Sequence, residues 1–355
     1  VRRQLPADRS LTITMDGYTI RLLANDPAIT AALKGYFSPF LSPDGGDETA
    51  ATITVHEGTP PLADVPFTVK PPDPGKEKIK EEFLALADGR CVRKRLTGMV
   101  FLFSENDHLA VGPCLDNLNQ VINFVNNRFI QWKLCSGSLL GHAAGISIDG
   151  RGLAMAGFSG AGKSTLALEL MRRPDCIFIS NDRLMIQPRD GGLEMTGVAK
   201  LPRINPGTAL NNPNLSSILS PEDKARFSSL PESELWDLEH KYDVPLDQCF
   251  GPERFSLKAT MKGLVLLNWK RNQDPLTVRP VVLSERRDLL PAFMKSTGLF
   301  FLESDACGMP EPTEDAYIDM LSRCKVWEFS GGADFEGAGR QCRKLLESPR
   351  SGSAA

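Results

Sequence analysis

The sequence predicts an α/β chain of two units, an N-terminal α+β unit followed by a unit built around a phosphate-binding loop. Three observations carry this. Residues 157–164 read Gly-Phe-Ser-Gly-Ala-Gly-Lys-Ser, a complete G-x-x-x-x-G-K-[ST] pattern. The pattern stands between a predicted strand pair at 146–156, turning at Asp149-Gly150, and a stretch of good helix formers at 163–172 (KSTLALELMR). Upstream, residues 1–134 carry hairpin signals and short strand-like runs of their own. The expected division is therefore 1–134, 135–350, and a disordered tail at 351–355.

In the first unit, Asp16-Gly17 between residues 11–15 and 18–23 marks a hairpin. Residues 28–37 read as a short amphipathic helix and 51–56 (ATITVH) as a strand, with a proline-rich surface loop at 60–75. Strands are expected at 82–90, 93–96, 99–104 and 109–112, with the basic run at 90–95 as a solvated strand face. Apolar positions 118, 121, 122, 124, 125, 129, 130 and 132 then fit a helix over 117–134. In the second unit, 176–180, 184–187, 193–196 and 261–269 read as strands. Residues 202–233, crowded with Pro, Asn and Ser, are expected to be irregular, with one helix near 221–227. Helices follow at 287–297, 314–324 and 335–346, with a strand at 325–329.

Composition narrows the function classes. Hydrophobic residues make up 41% of 355, enough for a substantial core, and the net charge of −3 gives no electrostatic footprint for nucleic acid or an anionic membrane. No apolar run approaches the ~20 residues that span a bilayer, and the start shows no signal-peptide pattern, so a cytoplasmic location is expected. The eight cysteines (91, 114, 135, 176, 249, 307, 324, 342) form no C-x-x-C pair and have no nearby His. They are expected to be reduced, mainly buried thiols.

The loop dictates a chemistry. Gly157, Gly160 and Gly162, with Ser159 and Ala161 between them, let the backbone turn tightly and aim N–H groups at an anion, and the following helix start adds partial positive charge. Lys163 can reach the β- and γ-phosphates of ATP, the Ser164 hydroxyl can ligate Mg²⁺, and the Thr165 hydroxyl can support the α-phosphate. Asp182 comes 19 residues after Lys163, one helix and one strand later. It should emerge beside the loop as a second Mg²⁺ ligand, its bland alternative being a turn or cap residue.

His142-Ala-Ala-Gly, the 157–164 loop, the Ala-Leu-Glu-Leu helix and Asn181-Asp182-Arg183 together resemble the HPr kinase/phosphorylase superfamily. Residues 197–207 (GVAKLPRINPG) and Lys241-Tyr242-Asp243 are similar to its divergent HPr-kinase-related branch, the HprK-related kinase B type. The likeness is specific over roughly 139–200. It implies a P-loop kinase core shared with phosphoenolpyruvate carboxykinases, a mixed sheet carrying the loop at one edge of a cleft. It also implies phosphoryl transfer from Mg-ATP to a hydroxyl, a place for His142 near the γ-phosphate, and Glu194 as a further metal ligand. The chain departs from the pattern where Asn181 replaces the first of two aspartates and Thr196 an arginine. It also lacks the long glycine-rich signature for recognising HPr.

Several roles stay open on the sequence. His142 is either a γ-phosphate neighbour or a packed core histidine. Arg203 either stabilises the transferred phosphoryl, binds an anionic substrate, or is simply solvated; Lys200 flanks the same segment. Lys241, Tyr242 and Asp243 shape a substrate pocket or lie in an ordinary loop, and Trp269, Lys270 and Arg271 end a strand at the site or elsewhere. The catalytic set read here is Asp182, His142, Arg203 and Lys163. The expected activity is a kinase acting on a small-molecule or protein acceptor, and the alternative is an ATP-sensing module without efficient transfer, for which Asn181 argues. Self-association into a homo-oligomer stays open.

Overall fold

The computed structural model describes residues 6–42, 48–61, 66–72, 77–105, 107–238, 240–303, 307 and 312–347. The chain is mixed α/β and divides into two units, one of Val1–Ser136 with Thr297–Pro310, the other of Gly137–Ser296 with Glu311–Ala355. The continuous second unit expected at 135–350 is thus interrupted. Part of the proline-rich stretch (62–65 and 73–76) and the expected tail at 351–355 lie outside the described residues.

The first unit is an eight-stranded sheet. Its strands are β1 (Arg9–Met15), β2 (Tyr18–Ala24), β3 (Ala51–Glu57), β4 (Thr68–Val69), β5 (Glu81–Leu86), β6 (Gly89–Lys94), β7 (Val100–Ser104) and β8 (His108–Gly112), in the order β1-β2-β3-β8-β7-β6-β5-β4. Helix α1 (Pro27–Tyr36) starts on Asp26, whose carboxylate accepts from Ala28 N at 2.7 Å, with Pro27 in the first turn. Helix α2 (Leu118–Cys135) buries Val121, Phe124, Val125 and Phe129.

The returning segment is held by interactions that short-range reading cannot see. Phe300 packs among Phe101, Phe103 and Phe124. Arg90 donates to Leu299 O at 2.6 Å, buried Arg128 donates to Phe300 O, and Gln131 both donates to Leu302 O and accepts from Leu302 N. Cys135 and Cys307, with Cα atoms 4.5 Å apart, form a disulfide, which corrects the expectation of eight free thiols. The basic run at 90–95 is partly exposed as expected, and its cations are also paired: Arg93 with Glu82, Lys94 with Glu81, and Arg93 stacks on Phe67.

The second unit is built on β9 (Leu139–Gly141), β10 (Ala143–Ile148), β11 (Arg151–Gly157), helix α3 (Lys163–Leu170), β12 (Cys176–Ser180), β13 (Leu184–Arg189) and β14 (Gly192–Thr196). Asp149 and Gly150, at φ 50° and 71°, supply the two positive-φ positions that a tight hairpin needs between β10 and β11. The stretch expected to be irregular is in fact segmented. It holds β15 (Arg203–Ile204), α4 (Pro206–Asn211), a 3₁₀ turn at Pro213–Ile218, α5 (Pro221–Ser228) and the start of α6 (Glu232–Asp237), and beyond it follow β16 (Tyr242–Asp243) and α7 (Leu246–Phe250). Prolines at the first turns of α4 and α5 start helices here rather than breaking them. Then come β17 (Lys258–Leu267), β18 (Thr277–Pro280), α8 (Glu314–Leu321), β19 (Lys325–Ser330) and α9 (Phe335–Glu347). The helix expected at 287–297 is a short 3₁₀ turn, Arg287–Ala292, with Pro291 inside it.

Strand β17 organises this sheet. Its first residues pair antiparallel with β14, its last five pair parallel with β19, and β11 runs parallel along its other edge from Arg151↔Thr260 to Gly157↔Leu267. Its burial changes accordingly, alternating at first and continuous from Gly263 on. Because β10 is antiparallel to both β11 and β12, those two strands point the same way. The carboxyl ends of β11, β12, β17 and β19, and the start of β10, therefore share one edge. Beneath it lies a core of Leu153, Met155, Leu166, Leu168, Phe178 and Phe329 with their neighbours.

Arg254 fixes the far end of α3. It is buried and donates to Met171 O (2.9 Å) and Arg173 O in the turn that follows the helix, to Cys176 O (2.8 Å) at the start of β12 and to Phe250 O (2.7 Å) at the end of α7, so it ties these three segments together. Arg254→Met keeps the volume and strands these acceptors, each worth about 1–3 kcal/mol when buried. The expected outcome is faster hydrogen exchange in α3 and β12 and an earlier urea transition of the second unit; unchanged exchange there would contradict this tying role.

Candidate functional site

The shared edge opens into a cleft of about 1150 Å³, within the second unit. Each side chain arrives there for a local reason. Strand β11 ends at Gly157, and the chain turns through 158–162 before α3 begins at Lys163. Gly160 and Gly162 stand at φ 80° and 87°, and a Cβ on Gly162 would meet the Phe335 ring at 2.5 Å. The loop is braced by Trp269, whose Nε1 donates to Ala161 O at 2.9 Å and whose ring meets Phe335 edge-on. Lys163 curls back over the loop and donates from Nζ to Gly157 O at 2.7 Å. Thr165 Oγ1 shares a 2.9 Å hydrogen bond with Thr208 Oγ1.

Asp182 follows the end of β12. Ser180 Oγ donates to Arg183 O and closes the turn that carries Asn181 and Asp182. His142 immediately precedes β10, whose register sets Ala143 opposite Ala156, so it lies beside the end of β11. Its Nε2 is 2.9 Å from Asp182 Oδ1, and Lys295 Nζ is 3.5 Å from Oδ2. Burial alone would raise the Asp182 carboxyl; the His142 hydrogen bond and the Lys295 charge outweigh it and hold the group well below the usual carboxylate range. Asp182 is thus a fixed anion in a cationic cleft.

The structure gathers most of the sequence-predicted residues. Ser159, Gly160, Ala161, Gly162, Lys163, Ser164, Thr165, His142, Asp182 and Arg203 all line the cleft, and Gly157 supplies the carbonyl on which Lys163 rests. Lys200, Lys241, Trp269 and Arg271 line it as well. Glu194 does not. It lies mid-strand on β14 opposite Thr260, accepts from Gln187 Nε2 at 3.0 Å and sits 3.7 Å from Arg189. The expectation that it completes a metal site is corrected: strand alternation turns it toward its own hairpin partners. Tyr242 is also committed elsewhere, its hydroxyl donating to Asp223 at 2.7 Å.

Sequence reading missed Lys295, Phe335 and Asn205. Lys295 was hidden by the expected helix over 287–297; its position follows only from His142 N donating to Phe293 O, which draws that segment along β9 and β10. Asn205 stands at the start of α4, with a buried Oδ1 that has no partner, as does Asn181 Oδ1.

Comparison with known proteins adds little at this point. No family model matches the chain, and no curated protein matches it. Among solved structures it is similar to the Hpr(Ser) kinase/phosphatase from Coxiella burnetii, at 11% identity over 58% of this chain and 88% of that one, with a TM-score of 0.31. A likeness this distant carries no argument about function, which rests on the cleft. Among the described residues no helix is long and apolar enough to cross a membrane.

Lys163 and Lys200 are both lowered from the ordinary 10.5 to about 8, first by burial and then by neighbouring cations. Their charged forms are present below about 8 and are lost as pH rises through it. The unfolded chain keeps these protons to higher pH, so the cost of burying the two charges is felt in full below about 8 and fades above it. Binding of inorganic tripolyphosphate, followed by calorimetry, should therefore weaken above pH 8. Lys163→Met should weaken it at pH 7 and flatten that decline. An affinity that stays constant from pH 7 to 9.5 would contradict the assignment.

Proposed function

We propose that the chain is an ATP-dependent kinase that transfers the γ-phosphoryl group of Mg-ATP to a hydroxyl of a small molecule or protein. The observation that carries this reading is the meeting, at one sheet edge, of a positive-φ glycine loop, Lys163 and the fixed carboxylate Asp182. Phosphoryl transfer asks for that combination, because positioning and charge neutralisation outweigh covalent chemistry in its transition state.

The loop N–H groups from 158 to 163, apart from that of Ala161, which donates to Phe158 O, and the start of α3 hold the phosphates. Lys163 leaves the carbonyl of Gly157 for the phosphate oxygens, a modest exchange of one acceptor for a charged one. Ser164 and Asp182 would hold Mg²⁺, which supplies charge neutralisation on the phosphates. Among the described residues no three acidic, His or Cys side chains cluster as a metal cage. A two-ligand arrangement suits an ion that keeps most of its waters and shares phosphate oxygens. His142 orients Asp182 from one side and Lys295 from the other. Arg203 lies within the cleft as a cation available to the transferred group or the acceptor.

A second reading, an ATP sensor without efficient transfer, is favoured by Asn181. An amide cannot take a proton, and its Oδ1 is buried without a partner. The two readings separate on turnover. Under the kinase reading, a metabolite extract with Mg-ATP yields a phosphorylated product, and Lys163→Ala lowers its formation by roughly 100-fold or more, the scale seen on removing one transition-state electrostatic partner. If nucleotide binds tightly, Asp182→Asn weakens only that binding, and no extract raises ADP release, the sensor reading stands instead.

A further inference from the structure

One aromatic ring in the cleft stands open. Phe158, the residue after Gly157, lines it at 52% exposure, whereas every other described phenylalanine is buried or half-buried. Single apolar side chains are ordinary on an outer surface, but within a cleft they offer a face to a ligand. Trp269 and Phe335, also in the cleft, are committed: they meet edge-on, and Trp269 donates to Ala161 O. Because β11 and β17 pair in parallel with Gly157 opposite Leu267, Phe158 and Asn268 leave neighbouring strands at the same level. Asn268 is exposed in the cleft yet held. Its Nδ2 donates to Glu328 Oε1 at 2.6 Å, and Glu328, 7% exposed, is itself clamped by Arg286 at 2.8 and 3.3 Å. That bond fixes the amide and leaves its Oδ1 and second N–H as one acceptor and one donor.

The direction of the triphosphate decides what meets this pair. Under the kinase reading Lys163 takes the β- and γ-phosphates and Thr165 the α-phosphate. Lys163 Nζ lies 2.7 Å from Gly157 O and 3.4 Å from Phe158 O, whereas Thr165 Oγ1 faces Thr208 Oγ1. The γ end therefore lies beside Phe158 and Asn268, and the nucleoside leaves toward Thr165. An open ring at the γ end meets the acceptor, not the base. The cleft, at about 1150 Å³, also exceeds the ~300–1,000 Å³ usual for one ligand, so it has room for both substrates.

We propose that Phe158 and Asn268 bind the acceptor and that it is a cyclic polyol, a monosaccharide or cyclitol, stacked on the Phe158 ring with its rim hydroxyls on Asn268 and one of them facing Asp182. This rests on the kinase reading and names its substrate class. A flat aromatic face matches the C–H face of a saturated ring, and a fixed amide with one donor and one acceptor matches neighbouring hydroxyls. An open-chain polyol would lose rotational freedom on lying against the same face. In the transfer, the ring hydroxyl oxygen bonds to the γ-phosphorus as the bond from that phosphorus to the β–γ bridging oxygen breaks. The leaving electron pair stays on ADP, and the hydroxyl proton passes to Asp182 and then to water.

The test uses the full chain with Mg-ATP and three sets of hydroxyl compounds: common hexoses, pentoses and myo-inositol; the open-chain alditols of the same sugars; and a short serine peptide. ADP release and phosphorus NMR of the product are read for the wild type, Phe158→Ser and Asn268→Leu, with nucleotide affinity measured separately by a fluorescent ATP analogue. The expected result is stimulation by a ring compound, with the alditols and the peptide at least about tenfold less effective. Each variant should raise the KM of that compound about tenfold, the scale of one lost apolar face or one lost hydrogen-bonding amide, with any change in nucleotide affinity much smaller. Equal stimulation by an alditol or by the peptide overturns the proposal. So does a panel in which no ring compound either stimulates turnover or binds. A loss of nucleotide affinity in Phe158→Ser that matches the rise in KM overturns it too, since the ring then belongs to the nucleotide. Saturation-transfer NMR of the same ring compounds without nucleotide reads the site alone. Ring-selective binding that Phe158→Ser abolishes, in a chain that never turns over ATP, would sink the kinase reading and leave the ring site standing.

Discussion

The parallel alignment of β11 with β17, ending with Gly157 opposite Leu267, is the constraint on which the second unit depends. A parallel pair ends both strands at the same edge, so the loop leaves β11 where Asn268 to Arg271 leave β17. Strand β10, antiparallel to β11, must then begin at that edge, which sets His142 there; β12, antiparallel to β10, must end there, which sets Asp182 there. A one-residue slip of β10 would reverse its side chains and move His142 away from Asp182. The apolar strands are what forbid the slip: Ile146, Leu153, Met155 and Phe178 are wholly buried and fit one register only. Core packing, rather than any bond within the cleft, sets the distances among its charged groups.

Those charges work against the fold. Lys163 and Lys200 are both shifted toward neutrality by burial, and cations outnumber carboxylates along the cleft. Asp182 offsets some of this, and its half-exposed carboxylate is itself held by His142 and Lys295. The rigid elements beneath absorb the rest. Arg254 ties the turn after α3 to β12 and α7, and Trp269 and Phe335 brace the loop. Stored repulsion of this kind is relieved when an anion arrives, so ligand binding and stability are coupled through the same residues.

Much of the site was legible in the sequence because its parts are local. A glycine loop between a strand and a helix is a short-range pattern, and the Asp182 spacing follows from the length of one helix and one strand. The hairpins at Asp16-Gly17 and Asp149-Gly150 were legible for the same reason. What escaped is non-local. Lys295 reaches Asp182 only because its segment runs beside β9, and Pro291 turns the expected helix into a 3₁₀ turn. The Thr297–Pro310 segment joins the first unit through Phe300, two arginines and a disulfide spanning 172 residues, none of which has a short-range signal. Glu194 misled for the opposite reason: a motif alignment placed it at the metal, but strand pairing ties it to Gln187 and Arg189.

Asn181 weighs less against transfer than its loss of acidity suggests. In a loose phosphoryl-transfer transition state the bond to the leaving oxygen is largely broken before the acceptor oxygen bonds to phosphorus, so the hydroxyl proton departs late. The group facing that hydroxyl must orient it and accept a proton from an oxygen already turned acidic. Asp182 can do the first as a fixed carboxylate held by His142 and Lys295. Because it is held below the usual carboxylate range it is a weak base toward a free alcohol, yet a sufficient acceptor once phosphorus is bound to the oxygen. A second acid beside it would add like-charge repulsion in the ligand-free cleft and raise one of the pair. An amide at 181 keeps the polarity of the turn without that repulsion. The amide that removes a base therefore also spares the cleft a second negative charge beside Asp182.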